Sequence, residues 1–153
     1  MECYIRTKEA ITTNQTNDEV CVLNYEDEVL RAFGESAPVH VVWFSSARKL
    51  AEGFYLDGEE IFYAHDGNTE KVINVNDLNL LGRHNYENVM AATAMSVNFG
   101  VPMEKIVEVL KRFQAVEHRI EYVTEKRGVR FYNDSKGTNP DAAIQGIRAM
   151  NRP

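Results

Sequence analysis

Only two cysteines occur in the 153 residues, Cys3 and Cys21, and neither belongs to a CxxC pair or a Cys/His cluster. A disulfide scaffold and a zinc site therefore lack sequence support, and a reducing compartment, the cytoplasm, is expected. Long apolar runs are missing too. Nothing approaches the roughly 20 residues of a membrane span, and Met1 to Ala10 carries Glu2, Arg6, Lys8 and Glu9 where a signal peptide would be apolar. Positive charge is not in excess: the formal net charge of -6 argues against a nucleic-acid partner, whose phosphates demand a dense basic face. No Gly-x-x-x-x-Gly-Lys-Ser/Thr pattern occurs, so the backbone cradle and lysine that such a loop offers to phosphates are absent. There is no internal repeat and no low-complexity segment.

What is present is an ordinary globular composition, 44% hydrophobic and 26% charged, enough to bury a core in one domain or in pieces of two. Met1 to Thr13 reads as the end of a helix, followed by the polar loop Asn14 to Asp18. Val20-Cys21-Val22-Leu23 is apolar without alternation, as in a strand buried on both faces, and Asn24 is placed to cap a helix over Asp27 to Phe33. Val39 to Phe44 supplies a second such strand, which makes a parallel strand-helix-strand unit. Gly53 to Leu56 and Glu60 to Ala64 flank Asp57-Gly58, a hairpin signal, so an antiparallel ribbon is expected beside that unit. Gly67 to Leu81 is a return segment without a definite assignment.

Asn85 to Phe99 is apolar or small nearly all round and predicts a buried helix stopped by Gly100; Pro102 opens a second, antiparallel helix with Met103, Ile106, Val107, Leu110 and Phe113 on one face. Near residue 116 the pattern changes to a hairpin turning at Lys126-Arg127-Gly128, a polar turn, and a helix from Pro140. We therefore expect residues 1–116 to belong to one domain and 117–153 to begin another, with both chain ends reading as cut. Exposed apolar edges of such a fragment would invite self-association.

Chemistry-bearing residues crowd into two places. Between a strand and a helix stand Asp134, Ser135, Lys136, Thr138 and Asn139, where α/β folds present ligand-binding groups. Thr138 or Asn139 serves as an N-cap and Asp134 closes a turn, but capping does not need Lys136, an ammonium near the positive end of a helix; an anion lodged there reconciles the two. At the start of the buried helix, Asn85 is a cap candidate, and Asn88 one turn on offers a carboxamide that matches the N6 and N7 edge of adenine. Arg119 either pairs on the surface with Glu117 or Glu121 or contacts a ligand through its guanidinium. Lys8 alone reads as a solvated lysine, and His40 and His65 as structural or surface residues.

Taken in order, Gly82-Arg83-His84-Asn85-Tyr86-Glu87-Asn88 followed by Ala91-Ala92, then His118-Arg119-Ile120-Glu121, then Asn133-Asp134-Ser135-Lys136-Gly137-Thr138-Asn139-Pro140 resemble the Mur ligases of peptidoglycan synthesis. The last motif is similar to the D-glutamate-adding branch, and with Tyr4 to Gln15 and Val20 to Asn24 the resemblance spans essentially the whole chain. It implies a cytoplasmic enzyme with a central ATP-binding α/β domain and a Rossmann-like C-terminal domain. It also implies ATP-driven amide formation with Mg2+, in which the carboxylate of UDP-N-acetylmuramoyl-L-alanine becomes an acyl phosphate that the amine of D-glutamate attacks. By position, Asn85 and Asn88 would hold the adenine side, Arg119 and Asp134 would approach ribose and phosphates, and Lys136 and Thr138 would face the acyl phosphate and D-glutamate. Lys8 falls where the family has a lysine that becomes carbamylated and helps bind a metal, although Ala10 stands where relatives usually have arginine, and Gly137 where many have alanine.

With no phosphate loop, and without the domains that hold the UDP group and most of the D-glutamate site, the 153 residues alone are expected to be inactive. Two other readings fit parts of the sequence: a noncatalytic adenine-nucleotide or interaction module, and a relative that adds glutamate to folate. The Asp134 to Asn139 motif counts against the second.

Overall fold

The computed structural model describes residues 2–114 and 116–150. The chain-end readings at Met1 and Pro153 fall outside those residues. The expected α/β class holds. Helix α1 (Glu2–Glu9) runs into a 3-10 turn at Ala10–Thr12 and buries none of its own side chains. Strand β1 (Val20–Asn24), helix α2 (Glu28–Ser36) and strand β2 (His40–Ser45) form the parallel unit, in register Cys21↔Val41 and Leu23↔Trp43. Strand side chains alternate between faces, so each β1 residue pair splits: Cys21 and Leu23 pack with Val39, Leu30 and Phe33, whereas Val20 and Val22 pack against the main core on the opposite face. Burial on both faces is why the run is apolar throughout. The cap of α2 is Asp27 and not Asn24: Asp27 Oδ1 accepts from Val29 N (2.9 Å) and Leu30 N (3.1 Å). Asn24 is still paired in β1 and lies too early to reach those amides; its Oδ1 accepts from Glu26 N at 2.9 Å and closes the turn before the helix.

Strand β3 (Gly53–Asp57) continues the parallel pairing through Phe44↔Phe54 and Ser45↔Tyr55, then turns at Gly58-Glu59 into the antiparallel β4 (Glu60–His65). The return segment is a further strand, β5 (Asn68–Asn74), antiparallel to β4, which gives one five-stranded sheet in order β1-β2-β3-β4-β5. Its first four residues are exposed and only Val72 and Ile73 are buried, so no alternation marks it in the sequence.

Helix α3 (Arg83–Asn98) crosses this sheet and α4 (Met103–Arg112) packs on α3. Phe54, Ile61 and Met90 are fully buried between sheet and helices, each contributing about 1.5–3 kcal/mol relative to exposure. The expectation that α3 is buried nearly all round is corrected: Val89, Met90, Thr93 and Ala94 are buried but Met95 is 50% exposed, because sheet and α4 do not cover the whole circumference of the helix. It also begins two residues earlier than expected, at Arg83, with Gly82 as the preceding half-turn. In α4, Ile106 is buried and Met103, Val107 and Leu110 pack on the core, whereas Phe113, expected on the same face, follows the helix and is 45% exposed.

After residue 116 comes a two-stranded hairpin, β6 (Glu121–Lys126) and β7 (Val129–Asn133), whose turn residues Arg127 and Gly128 have φ of 55° and 79°. Positive φ at both central positions matches the right-handed twist of the strands. Helix α5 (Pro140–Arg148) follows, with Pro140 in its first turn and Asn139 Oδ1 accepting from Ala142 N at 2.8 Å; of the two cap candidates, Thr138 and Asn139, it is Asn139 that caps.

Candidate functional site

Helices α3 and α4 diverge around a cavity of about 630 Å³. Its walls are apolar, from Val89, Val101, Val109, Leu110 and Phe113, and its polar groups include Asn85, Asn88, Arg119 and Lys136. Four of the predicted site residues are thus brought together, although two come from α3 and two from beyond residue 116. A cavity of this size, apolar with a few polar groups, suits a small flat ligand with a charged end. Thr93 adds a buried hydroxyl to its wall, and Thr93 Oγ1 has no hydrogen-bond partner.

Asn85 is not a cap. Position 85 lies inside the first turn, and its side chain turns back so that Nδ2 donates to the Leu81 carbonyl at 2.7 Å. Asn88, one turn on, is exposed at the cavity. Ahead of them, Gly82 has a φ of 94°, and a Cβ there would stand 2.6 Å from Ala149 Cβ, so the close approach of the residue after α5 and the backbone both require glycine.

Arg119 and Lys136 are held side by side by backbone pairing. Lys136 N donates to the His118 carbonyl at 3.0 Å, and Asp134 Oδ1 accepts from Ile120 N at 3.2 Å. Glu121 accepts from His118 N at 2.9 Å and from the Asn133 side chain at 3.3 Å. His118 and Ile120 have φ of 70° and 46°, an unusual conformation for a β-branched residue, and these bonds hold it. Glu121 is therefore spent on the loop and not on Arg119, which leaves the guanidinium at the cavity.

Three predicted residues stand apart from the cavity lining. Asp134 turns its carboxylate toward Ile120 and Gly146 of α5, and the Thr138 amide bonds the Lys136 carbonyl at 2.9 Å while its side chain is exposed. Lys8 lies on α1 with its ammonium 5.4 Å from the Tyr4 ring centroid. Among the described residues no group of three or more His, Cys, Asp or Glu side chains gathers as a metal site. No helix among them is long and apolar enough to cross a membrane. His65, read as a structural or surface residue, is stacked on Tyr63 and lies 3.6 Å from Asp66 and 3.5 Å from Glu70.

A polar hub at the C-terminal end of β2 has no counterpart among the predicted residues. Ser45 is buried and donates to Glu26 at 2.6 Å, and Arg48 binds both oxygens of Glu26 at 2.9 and 2.8 Å. These donors, Arg48 first, hold the Glu26 carboxyl below the ordinary glutamate value of 4.5. Ser46, also buried, donates to Glu87 and accepts from Arg83 Nε at 2.8 Å, and its carbonyl accepts from the same guanidinium. The available signal was Ser45-Ser46 closing an apolar strand, since polar residues at the carboxyl end of a parallel strand mark the functional edge of such sheets.

A βαβ unit extended by an antiparallel ribbon, with a cavity beside helices α3 and α4, places the molecule among α/β proteins. The chain belongs to the Mur ligase middle domain family, which residues 1–96 match. Along its full length it is 56% identical to the UDP-N-acetylmuramoylalanine--D-glutamate ligase of Lachnospira eligens, and over 150 residues, 98% of the chain, it is 53% identical to the ligase of that name from Lachnoclostridium phytofermentans. The chain spans about a third of these relatives, 34% and 33% of their lengths. Its fold is that of MurF from Acinetobacter baumannii (TM-score 0.70, 21% identity, 98% of this chain and 34% of that one) and of a pseudomurein peptide ligase type C from Methanothermus fervidus (TM-score 0.70, 18% identity, 99% and 38%).

Proposed function

We propose that this chain forms the adenosine-facing part of an ATP-driven ligase that joins D-glutamate to UDP-N-acetylmuramoyl-L-alanine. The observation that carries the reading is the convergence of Asn85 and Asn88 with Arg119 and Lys136 on one cavity. The names of the relatives supply the two substrates and the ligase class, and amide formation is the reading made from them.

The apolar walls suit the faces of a purine, and carboxamides at the rim offer donor and acceptor to its polar edge. Arg119 and Lys136 place two cations beyond that edge, where a ribose and its phosphates would extend. In the reaction, a carboxylate oxygen takes the γ-phosphoryl group of ATP and ADP leaves, giving an acyl phosphate; the incoming amine then attacks the acyl carbon, phosphate leaves, and the nitrogen loses a proton to give the amide. Positive groups that face the transferring phosphoryl oxygens lower that barrier. The division near residue 116 belongs to this reading, because it lets Arg119 and Lys136 arrive from a separate unit. Lys8, Asp134 and Thr138 take no part in the cavity as it stands. For Mg2+ the described residues gather no group of three or more His, Cys, Asp or Glu side chains.

Because the 153 residues contain no Gly-x-x-x-x-Gly-Lys-Ser/Thr loop, the chain by itself is proposed to bind nucleotide weakly and to turn over none. Isothermal titration with Mg-ATP, beside Asn88→Ala and Lys136→Ala, tests this. Weak binding that Asn88→Ala removes, and that Lys136→Ala reduces for ATP but not for adenosine, supports the assignment. No heat at millimolar ATP rejects it.

A further inference from the structure

We propose that Ser46, gripped by Arg83 and Glu87, positions the first turn of α3 and thereby sets the two carboxamides at the cavity. The ligand half of this inference rests on the nucleotide reading above; the positioning half does not. Arg83 and Glu87 are four residues apart and lie on one side of the helix, whereas Asn85 and Asn88 fall on the other at 3.6 residues per turn. Ser46 is buried at the end of β2, donates its hydroxyl proton to Glu87, accepts from Arg83 Nε at 2.8 Å, and offers its carbonyl to the same guanidinium. The helix start has no side-chain cap, and besides Ser46 its side-chain anchor is the Asn85 bond to the Leu81 carbonyl. Its first amides bond only to Gly82, from Asn85 N at 3.0 Å and Tyr86 N at 3.3 Å. Ser45, the preceding residue, is fixed by Glu26 and through it by Arg48, so the serine pair ties the loops after β1 and β2 to α3. Displacement of the first turn would carry Asn85, and with it the carboxamide bonded to Leu81, away from the cavity edge.

The test uses the chain as it stands with Ser46→Ala, Glu87→Ala and the conservative Glu87→Gln, read by amide hydrogen exchange and by adenosine titration. Ser46→Ala and Glu87→Ala are expected to speed exchange at Asn85 and Tyr86 about tenfold, while Met90 and Ala94 keep their protection; Glu87→Gln, which keeps an acceptor for the serine, restores it. Adenosine affinity is expected to fall by a similar factor in the two alanine variants. Unchanged exchange at Asn85 and Tyr86 overturns the proposal, as does a uniform loss of protection along α3, which would make the hub a general packing feature. If the parent chain binds no adenosine, the nucleotide reading fails, and the exchange pattern alone still decides whether Ser46 positions the turn.

Discussion

The amide of Lys136 donates to the carbonyl of His118 at 3.0 Å, and this bond joins the two segments whose Arg119 and Lys136 line the same cavity. Asp134 completes the junction by accepting from Ile120 N, at a residue whose φ of 46° is costly for a β-branched side chain. Its carboxylate is therefore structural before it is anything else. Asp134→Ala is expected to destabilise the hairpin and α5 by about 1–3 kcal/mol, because an amide loses its acceptor. Asp134→Asn keeps an oxygen at that position and is expected to lose much less. Amide exchange across β6 and β7 reads the difference, and equal losses in the two variants would assign the effect to charge.

Gly146 is inside α5, where alanine ordinarily stabilises a helix by about 1 kcal/mol. Here a Cβ would stand 2.7 Å from Asp134 Oδ2. Gly146→Ala is expected to lower stability, reversing the usual sign, since the carboxylate must move and weaken its bond to Ile120. Thermal melts of the parent and variant check the sign. In an Asp134→Ala background the same substitution should become favourable.

The Glu26 carboxyl is held below its ordinary value chiefly by the Arg48 hydrogen bond, with Ser45 adding to it. A carboxyl with a depressed folded-state pKa contributes stability above the unfolded value of 4.5, and that contribution is lost as pH falls through the folded value. The urea midpoint, followed by Trp43 fluorescence, is expected to drop on acidification below about pH 4.5. Glu26→Gln should flatten part of that slope while lowering the midpoint at neutral pH, because Arg48 loses its carboxylate. A slope identical to the parent's would place the acid sensitivity elsewhere.

Legibility followed the local signals. The β1–α2–β2 unit, the Asp57-Gly58 hairpin, the Gly100 stop and the Asn139-Pro140 helix start each carry their signal within a few residues, and each lies where the sequence places it. Strand β5 did not, because its outer half faces solvent and only Val72 and Ile73 show burial. Asn24 drew the cap assignment because its residue type is right; Asp27 took the role because pairing with Phe44 keeps Asn24 in the sheet. For the candidate site, motif order singled out Asn85, Asn88, Arg119 and Lys136, which line the cavity, together with Asp134, Thr138 and Lys8, which do not. Their convergence depends on strained backbone at His118 and Ile120, which no propensity encodes. Ser46 was missed because its partners Arg83 and Glu87 are distant in sequence and each is ordinary on a helix surface.

The two carboxamides make a final, separable prediction. Asn85 donates to Leu81 O at 2.7 Å, whereas Asn88 is exposed at the cavity. Asn85→Ala removes a partner from a half-buried carbonyl at the start of α3, so it is expected to cost about 1 kcal/mol in stability as well as any effect on ligand. Asn88→Ala removes no such bond; its expected change in urea midpoint is within experimental scatter, and its effect should be confined to adenosine affinity. Urea unfolding and adenosine titration on both variants separate the two roles. If Asn88→Ala destabilises as much as Asn85→Ala and leaves binding unchanged, both carboxamides serve the helix start, and recognition of the base must come from the cavity walls, beginning with the unpartnered Thr93 hydroxyl.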